Sequence, residues 1–274
     1  MRLSFSNAAA WQRSSWGALC CWRYSGVAGE HSSAIRYACP MLIRWLPLFI
    51  ALVPLIGVHT AYLIAVEYGY LQLCIPYLDG CTSISGTGRY PPASFLFKAV
   101  EMVMAVALPV FWYFSVKWLK ALDPRWHSHA VWSIFASGAV GALALIVYVT
   151  FLGTKEPFYE FMRRFGIYFY FLGTVLAQLF LAVSLRGVCK GLQDRALSRM
   201  AATMLVLCLM PFALGILNLV QKSVLPYETA DALENSIEWI ASLMMQAYFF
   251  VVFFAWRRTG LAVSVSAAPP AGDP

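Results

Sequence analysis

The stretch that decides the fold is Trp45–Val66, WLPLFIALVPLIGVHTAYLIAV, 22 residues with one ring nitrogen pair and two hydroxyls as its only polar side chains besides the indole of Trp45. At about 1.5 Å per helical residue such a run covers the roughly 30 Å of hydrocarbon in a bilayer. It shows no alternation of period two, so it reads as a helix and not as a barrel strand. Five more runs follow at similar length: Ser94–Val116, Ala130–Leu152, Gly166–Leu185, Ala201–Val220 and Ser236–Trp256. Pro47, Pro54 and Pro109 fall within runs, as membrane helices tolerate when neighbouring groups satisfy the freed carbonyls. The expected fold is an all-α integral membrane protein, a six-transmembrane-helix bundle.

Composition agrees. Of 274 residues 61% are hydrophobic and only 12% charged, where a soluble domain carries about a quarter charged. That excludes a water-soluble globule, a disordered chain and a disulfide-dense secreted scaffold. The net charge of +7 would suggest nucleic acid in a soluble protein. Here the bases lie between apolar runs and report topology, so membrane lipids, with other membrane proteins as a further option, are the expected partners and nucleic acid is not. Fourteen of the 20 Lys and Arg lie on the side that holds the N-terminal segment, the loops after spans two and four, and the C-terminus. The richer side faces the cytoplasm, which gives an N-in/C-in protein with three outer loops, 67–93, 153–165 and 221–235. Which membrane holds it is not written in the sequence.

The ends differ from the core. Residues 1–40 hold Arg2, Arg13, Arg23 and Arg36 against one acid, Glu30, and no run long enough to span. They read as a targeting segment, as a disordered cytoplasmic tail, or as a non-native leader ahead of a start at Met41. The membrane domain covers 41–258, and 259–274 is small, Pro-rich and expected to be disordered.

Of seven Cys, only Cys74 and Cys81 lie in an outer loop. They either close a small ring in an oxidising compartment or stand as two thiols near the interface. Ionisable residues within spans are costly in lipid, so each needs a reason. His59 lies in span one, Lys98 and Glu101 in span two, Glu238 at the start of span six. All four fall near the outer end. Lys98 and Glu101, three apart on a helix, share a face. Two readings follow: an ion pair of Lys98 with Glu101 or Glu238 that ties helices together, or a site for a polar headgroup or a proton-transfer pair. Gln178, Asn218 and Gln246 are further polar residues within spans. The segment Tyr159–Phe171, YEFMRRFGIYFYF, sets seven aromatics around Arg163 and Arg164. It reads as an interfacial belt, or as a contact for anionic headgroups. No Ser–His–Asp spacing, H-E-x-x-H or glycine-rich phosphate loop is present, nor any sequence cluster with metal-ligand spacing. No cofactor is expected.

The first outer loop contains Ile75–Phe95, IPYLDGCTSISGTGRYPPASF. Its glycines permit tight turns, its hydroxyls can bond its own backbone, and Pro91 and Pro92 set the approach to span two. Such a loop can fold back as a cap. In Ile84, Ser85, Gly88, Pro91, Pro92, Ser94 and Phe97 the sequence resembles the Frag1/DRAM/Sfk1 family, whose first luminal loop carries a pattern like P-x-I-S-x-x-G-x-x-P-P-x-S/G-x-x-F. Glu238 and Trp239 resemble the Glu-Trp pair that opens that family's last helix. The resemblance covers Met41 to about Arg258, with Lys98 and Glu101 as departures. It implies a lipid-facing six-span protein, non-catalytic and accessory to lipid organisation or lipid-anchor processing. An intramembrane lipid-modifying enzyme or a transporter is the alternative. Candidate headgroup contacts are His59, Ser85, Arg89, Lys98, Glu101, Glu238 and Trp239.

The topology is open to a direct check. Reporter fusions placed after Arg258 and within 153–165 should report opposite sides of the membrane; the same side for both would break the six-span assignment.

Overall fold

A computed structural model describes residues 43–124, 128–154 and 156–266, together with the backbone of three short strands near the start of the chain. Six helices are long and apolar enough to cross a membrane. In chain order, counting two short helices of the first outer loop, they are α1 (Leu46–Glu67), α2 (Pro76–Asp79), α3 (Ile84–Thr87), α4 (Ala93–Leu122), α5 (Ser128–Thr150), α6 (Pro157–Leu192), α7 (Arg195–Val224) and α8 (Tyr227–Arg258). Each expected span falls on one long helix. The helices overrun the apolar runs, by nine residues at the start of α6 and of α8, because helical hydrogen bonding continues after hydropathy falls at the interface. Pro47 stands in the first turn of α1, where a missing N–H costs nothing, while Pro54, Pro109 and Pro211 lie inside helices.

Each long helix packs on the next, α1 on α4, then α5, α6, α7 and α8, and α8 closes back on α1. The bundle is thus a ring in sequence order. Strands β1 (Arg2–Ser4), β2 (Trp22–Tyr24), β3 (Arg36–Ala38) and β4 (Ala262–Ser266) pair antiparallel in the order β1-β4-β3-β2 outside the bundle. Apart from these strands, and Thr259, Gly260 and buried Leu261, the expectations for 1–40 and 259–274 lie outside the described residues.

The half of the bundle nearer the chain ends is filled by aromatic rings. Phe111, Trp112, Trp118, Tyr248, Phe249 and Trp256 are all buried. Phe111 meets Phe249 edge-on at 5.1 Å and lies over Trp256 at 5.4 Å between centroids, geometries that suit the ring quadrupoles. At that end α6 turns into α7 through two residues. Gln193 takes the left-handed conformation (φ 51°), and Asp194 caps α7 by accepting from the N–H groups of Ala196 and Leu197. The Arg258 guanidinium grips the same carboxylate at 2.8–3.1 Å. Those bonds, Arg258 first, hold the Asp194 carboxyl down at about 2. The clamp joins the last turn of α8 to the α6–α7 corner at any physiological pH.

The closest helix pair is α5 with α6, and small residues permit it. A Cβ on Gly173 would come within 2.7 Å of the Gly141 nitrogen and the Ser137 carbonyl oxygen, and one on Gly166 would meet the Tyr148 backbone. Neither backbone can yield without moving a helix. Gly173→Leu should therefore lower stability by about 1–3 kcal/mol or more, seen as an earlier thermal transition in detergent. Gly191→Ala, with open space around it, should leave the transition within about 0.5 kcal/mol of the native protein.

Candidate functional site

The first outer loop does fold back as a cap. Cys74 and Cys81 are joined in a disulfide that rings α2. Tyr62, on α1, donates to the carbonyls of Gln72 and Cys74 and accepts from the Cys74 N–H at 2.8 Å. From α8, Asn235 donates to the Gly80 carbonyl at 2.9 Å and the Trp239 indole N–H to the Thr82 carbonyl at 2.8 Å. Gly80 has φ 58°, and any Cβ there would overlap the Ala232 carbonyl. Only glycine allows the cap to sit this low on α8. Ser83 caps α3 by accepting from the Gly86 N–H.

Beneath the cap, Trp239 stands at the centre of a ring cluster, edge-on to His59 at 5.2 Å, to Tyr77 at 5.3 Å and to Tyr62 at 6.3 Å. His59 has both nitrogens engaged. Nδ1 lies 2.6 Å from the Leu55 carbonyl, which can only accept, so Nδ1 carries the proton. Nε2 then accepts from the Tyr77 hydroxyl at 3.0 Å. Burial pushes the Tyr77 phenol up from its ordinary value, which keeps it the donor.

Two cavities adjoin this cluster. The first, a chamber of about 40 Å³, is lined by His59, Tyr77, Glu101, Tyr148, Tyr170, Glu238, Trp239, Ser242 and Gln246 with apolar residues between them. It holds a few water-sized particles and no more. The second is a groove of about 840 Å³ between α6, α7 and α8. Arg163, Arg164 and Lys222 stand at its outer end with Asp231, Glu234 and Glu238, and Leu172, Val175, Phe212 and Ala241 line it deeper in. Lys222 pairs with Glu234 at 2.6 Å and Arg164 with Glu160 at 3.9 Å. Arg163 is half-buried and has no ion pair among the described residues. Tyr148, Glu238, Ile167 and Phe171 line both spaces, so they form the wall between them.

The candidate residues divide accordingly. His59, Glu101, Glu238 and Trp239 come together at the chamber. Ser85 lines the groove, and Arg89 donates to its hydroxyl at 3.4 Å. Lys98 joins neither cavity and makes no ion pair among the described residues, so the expected Lys98 pairing with Glu101 or Glu238 is corrected. The buried stripe of α4 runs through Phe97, Glu101, Met104, Ala105 and Leu108. Lys98 stands off that stripe, half-buried, where a long side chain can reach the headgroups. The Tyr159–Phe171 aromatics do form a largely exposed belt, but its two arginines also border the groove. Sequence reasoning missed Tyr148, one of four hydroxyls in an apolar run that also holds Ser133, Ser137 and Thr150. It noted Gln246 only as a polar residue within a span. Gln178, which it also noted, donates to the Met245 carbonyl and ties α6 to α8.

Comparison with protein-family models, with curated proteins and with solved structures gives no match for the chain.

Trp239→Phe keeps the ring and removes the N–H. The Thr82 carbonyl, in a buried residue, then loses its donor at a cost of about 1–3 kcal/mol. Amide exchange across 76–88 should speed up about tenfold or more while the long helices stay protected. Unchanged exchange there would show that the cap is held elsewhere.

Proposed function

We propose that this multi-pass membrane protein binds a phospholipid in the groove between α6, α7 and α8, and acts as a non-catalytic accessory in lipid organisation or lipid-anchor processing. The observation that carries this is the groove itself. Its outer end is charged, with bases and acids side by side and Arg163 left without an acid partner among the described residues, and it is apolar below, the order in which a phospholipid presents phosphate and acyl chain. Arg163, without an acid partner and half withdrawn from water, suits a phosphate oxygen. Only 17% of the most apolar window of α7 is buried, against 39–44% for the other five long helices. One face of α7 is thus left for lipid, and van der Waals fit to a chain is the available stabilisation there. The resemblance to the Frag1/DRAM/Sfk1 family in the cap and in Glu238–Trp239 supports the same reading. The Lys/Arg distribution puts the cap and the groove's charged end on the outer side, and the Cys74–Cys81 disulfide fits an oxidising compartment there.

Catalysis or transport would ask for His59, Lys98, Glu101 and Glu238 to converge. Lys98 stands apart, and His59 spends both nitrogens on Leu55 and Tyr77, so neither serves as a ready base.

The test is lipid retention. Native mass spectrometry of the purified full chain should show bound phospholipid. Arg163→Ala with Arg164→Ala should reduce the bound fraction about tenfold or more, while Lys98→Met leaves it unchanged. Equal retention in the arginine variant would remove the groove as the site.

A further inference from the structure

We infer that the phospholipid of the groove carries a primary ammonium, as in phosphatidylethanolamine, and that the acids of α8 select it. The inference rests on the groove as a phospholipid site and names the headgroup. Asp231, Glu234 and Glu238 stand at i, i+3 and i+7 on α8, so they share one face, and all three line the groove. From α6 and α7 come Arg163, Arg164 and Lys222. Part of this charge is spent within the protein. Glu234 takes Lys222 at 2.6 Å and accepts from the Asn218 amide at 3.5 Å. Arg164 faces Glu160 at 3.9 Å. What is left, without an ion pair among the described residues, is one base, Arg163, and two acids, Asp231 and Glu238. Asp231 is exposed at the rim, while Arg163 and Glu238 are half-buried. Tyr148 supplies an independent mark. It lines the groove and is 2% exposed, and its hydroxyl is buried with no hydrogen-bond partner. Buried polar atoms are nearly always satisfied, so a polar group of the ligand belongs beside it.

Charge separates the headgroups. The single unpaired base answers a single phosphate charge. The two unpaired acids call for a cation on the same molecule. Phosphatidylglycerol brings only its phosphate and would set a net negative charge against Asp231 and Glu238. Phosphatidylserine brings an ammonium but also a second anion, and Arg163 is already taken by the first. Phosphatidylcholine is neutral, yet its trimethylammonium has no N–H. Carboxylates beside it lose the charge-assisted hydrogen bonds and keep only the attraction between charges. Phosphatidylethanolamine has one phosphate and one ammonium with three N–H donors. It is neutral overall, as is the groove's outer end with three bases against three acids. The Tyr148 hydroxyl both donates and accepts, so it suits either the phosphate or the ammonium.

The test is competition among headgroups with the acyl chains held alike. The full chain in detergent is equilibrated with an equimolar mixture of dioleoyl phosphatidylethanolamine, phosphatidylcholine, phosphatidylglycerol and phosphatidylserine. Native mass spectrometry then releases the bound lipid and identifies it. Phosphatidylethanolamine should exceed each of the other classes about tenfold or more in the bound fraction. Asp231→Asn with Glu238→Gln should remove that preference while lipid is still retained. Asp231→Lys, at the exposed rim, should shift the preference toward phosphatidylglycerol, and it decides the matter if the double variant does not fold. Lys98→Met should keep the native preference. Bound lipid with no preference for ethanolamine, or a preference that survives Asp231→Lys, would overturn this inference and leave the groove standing as a lipid site. No bound lipid of any class would remove both.

Discussion

The bond from the Trp239 indole to the Thr82 carbonyl is where the outer half of the molecule is fixed. A loop of more than 20 residues at a membrane surface must satisfy its backbone or stay in water. Here it is drawn down onto α8 by one indole, one amide from Asn235 and the close approach that Gly80 allows. Everything beneath takes its position from that seating. Tyr77 reaches His59 because α2 is held against α8. Ser83 starts α3 by accepting from the Gly86 N–H, and Ser85 in that turn lines the groove with Glu238. Without the seat the chamber would open to water.

The two halves of the bundle solve different problems. The half near the chain ends is filled with packed aromatic rings, and its corner is clamped by Asp194 and Arg258. The outer half trades packing for polarity and keeps two spaces. Small residues along α5 and α6 make that division possible: their close contact fixes one wall of the ring, so that α7 can stand off on the other and leave the groove.

The helices were legible because hydropathy over about 20 residues reports a physical requirement of the bilayer directly. Trp45–Val66 alone is enough to set the class. The cap was legible for a related reason, since Gly80 permits a turn that other residues resist and Pro91 and Pro92 restrict the backbone wherever they occur. The chamber and the groove were not. Tyr148 sits in an apolar run where its hydroxyl carries no periodic signal, and its importance comes from what α4 and α8 bring opposite it. Lys98 was misplaced for the same reason. Spacing along one helix says that Lys98 and Glu101 are neighbours, but only the packing of Phe97 and Met104 says which of the two turns inward. Arg163 and Arg164 were visible as a belt, and the cavity behind them depends on how far α7 stands from α6.

A ring built in sequence order has one seam, between α8 and α1, and that seam sets an order of assembly. Each hairpin can pack on its predecessor as it leaves the ribosome, using contacts near in sequence. The cap cannot. Asn235, Ser236 and Trp239 all lie on the last helix, about 155 residues after the loop atoms they bind. The first outer loop is therefore made early and seated last. A chain halted before Tyr227 would present that loop undocked on the outer face, with α1 lacking its final neighbour. The cap is thus seated only once the last helix is in place.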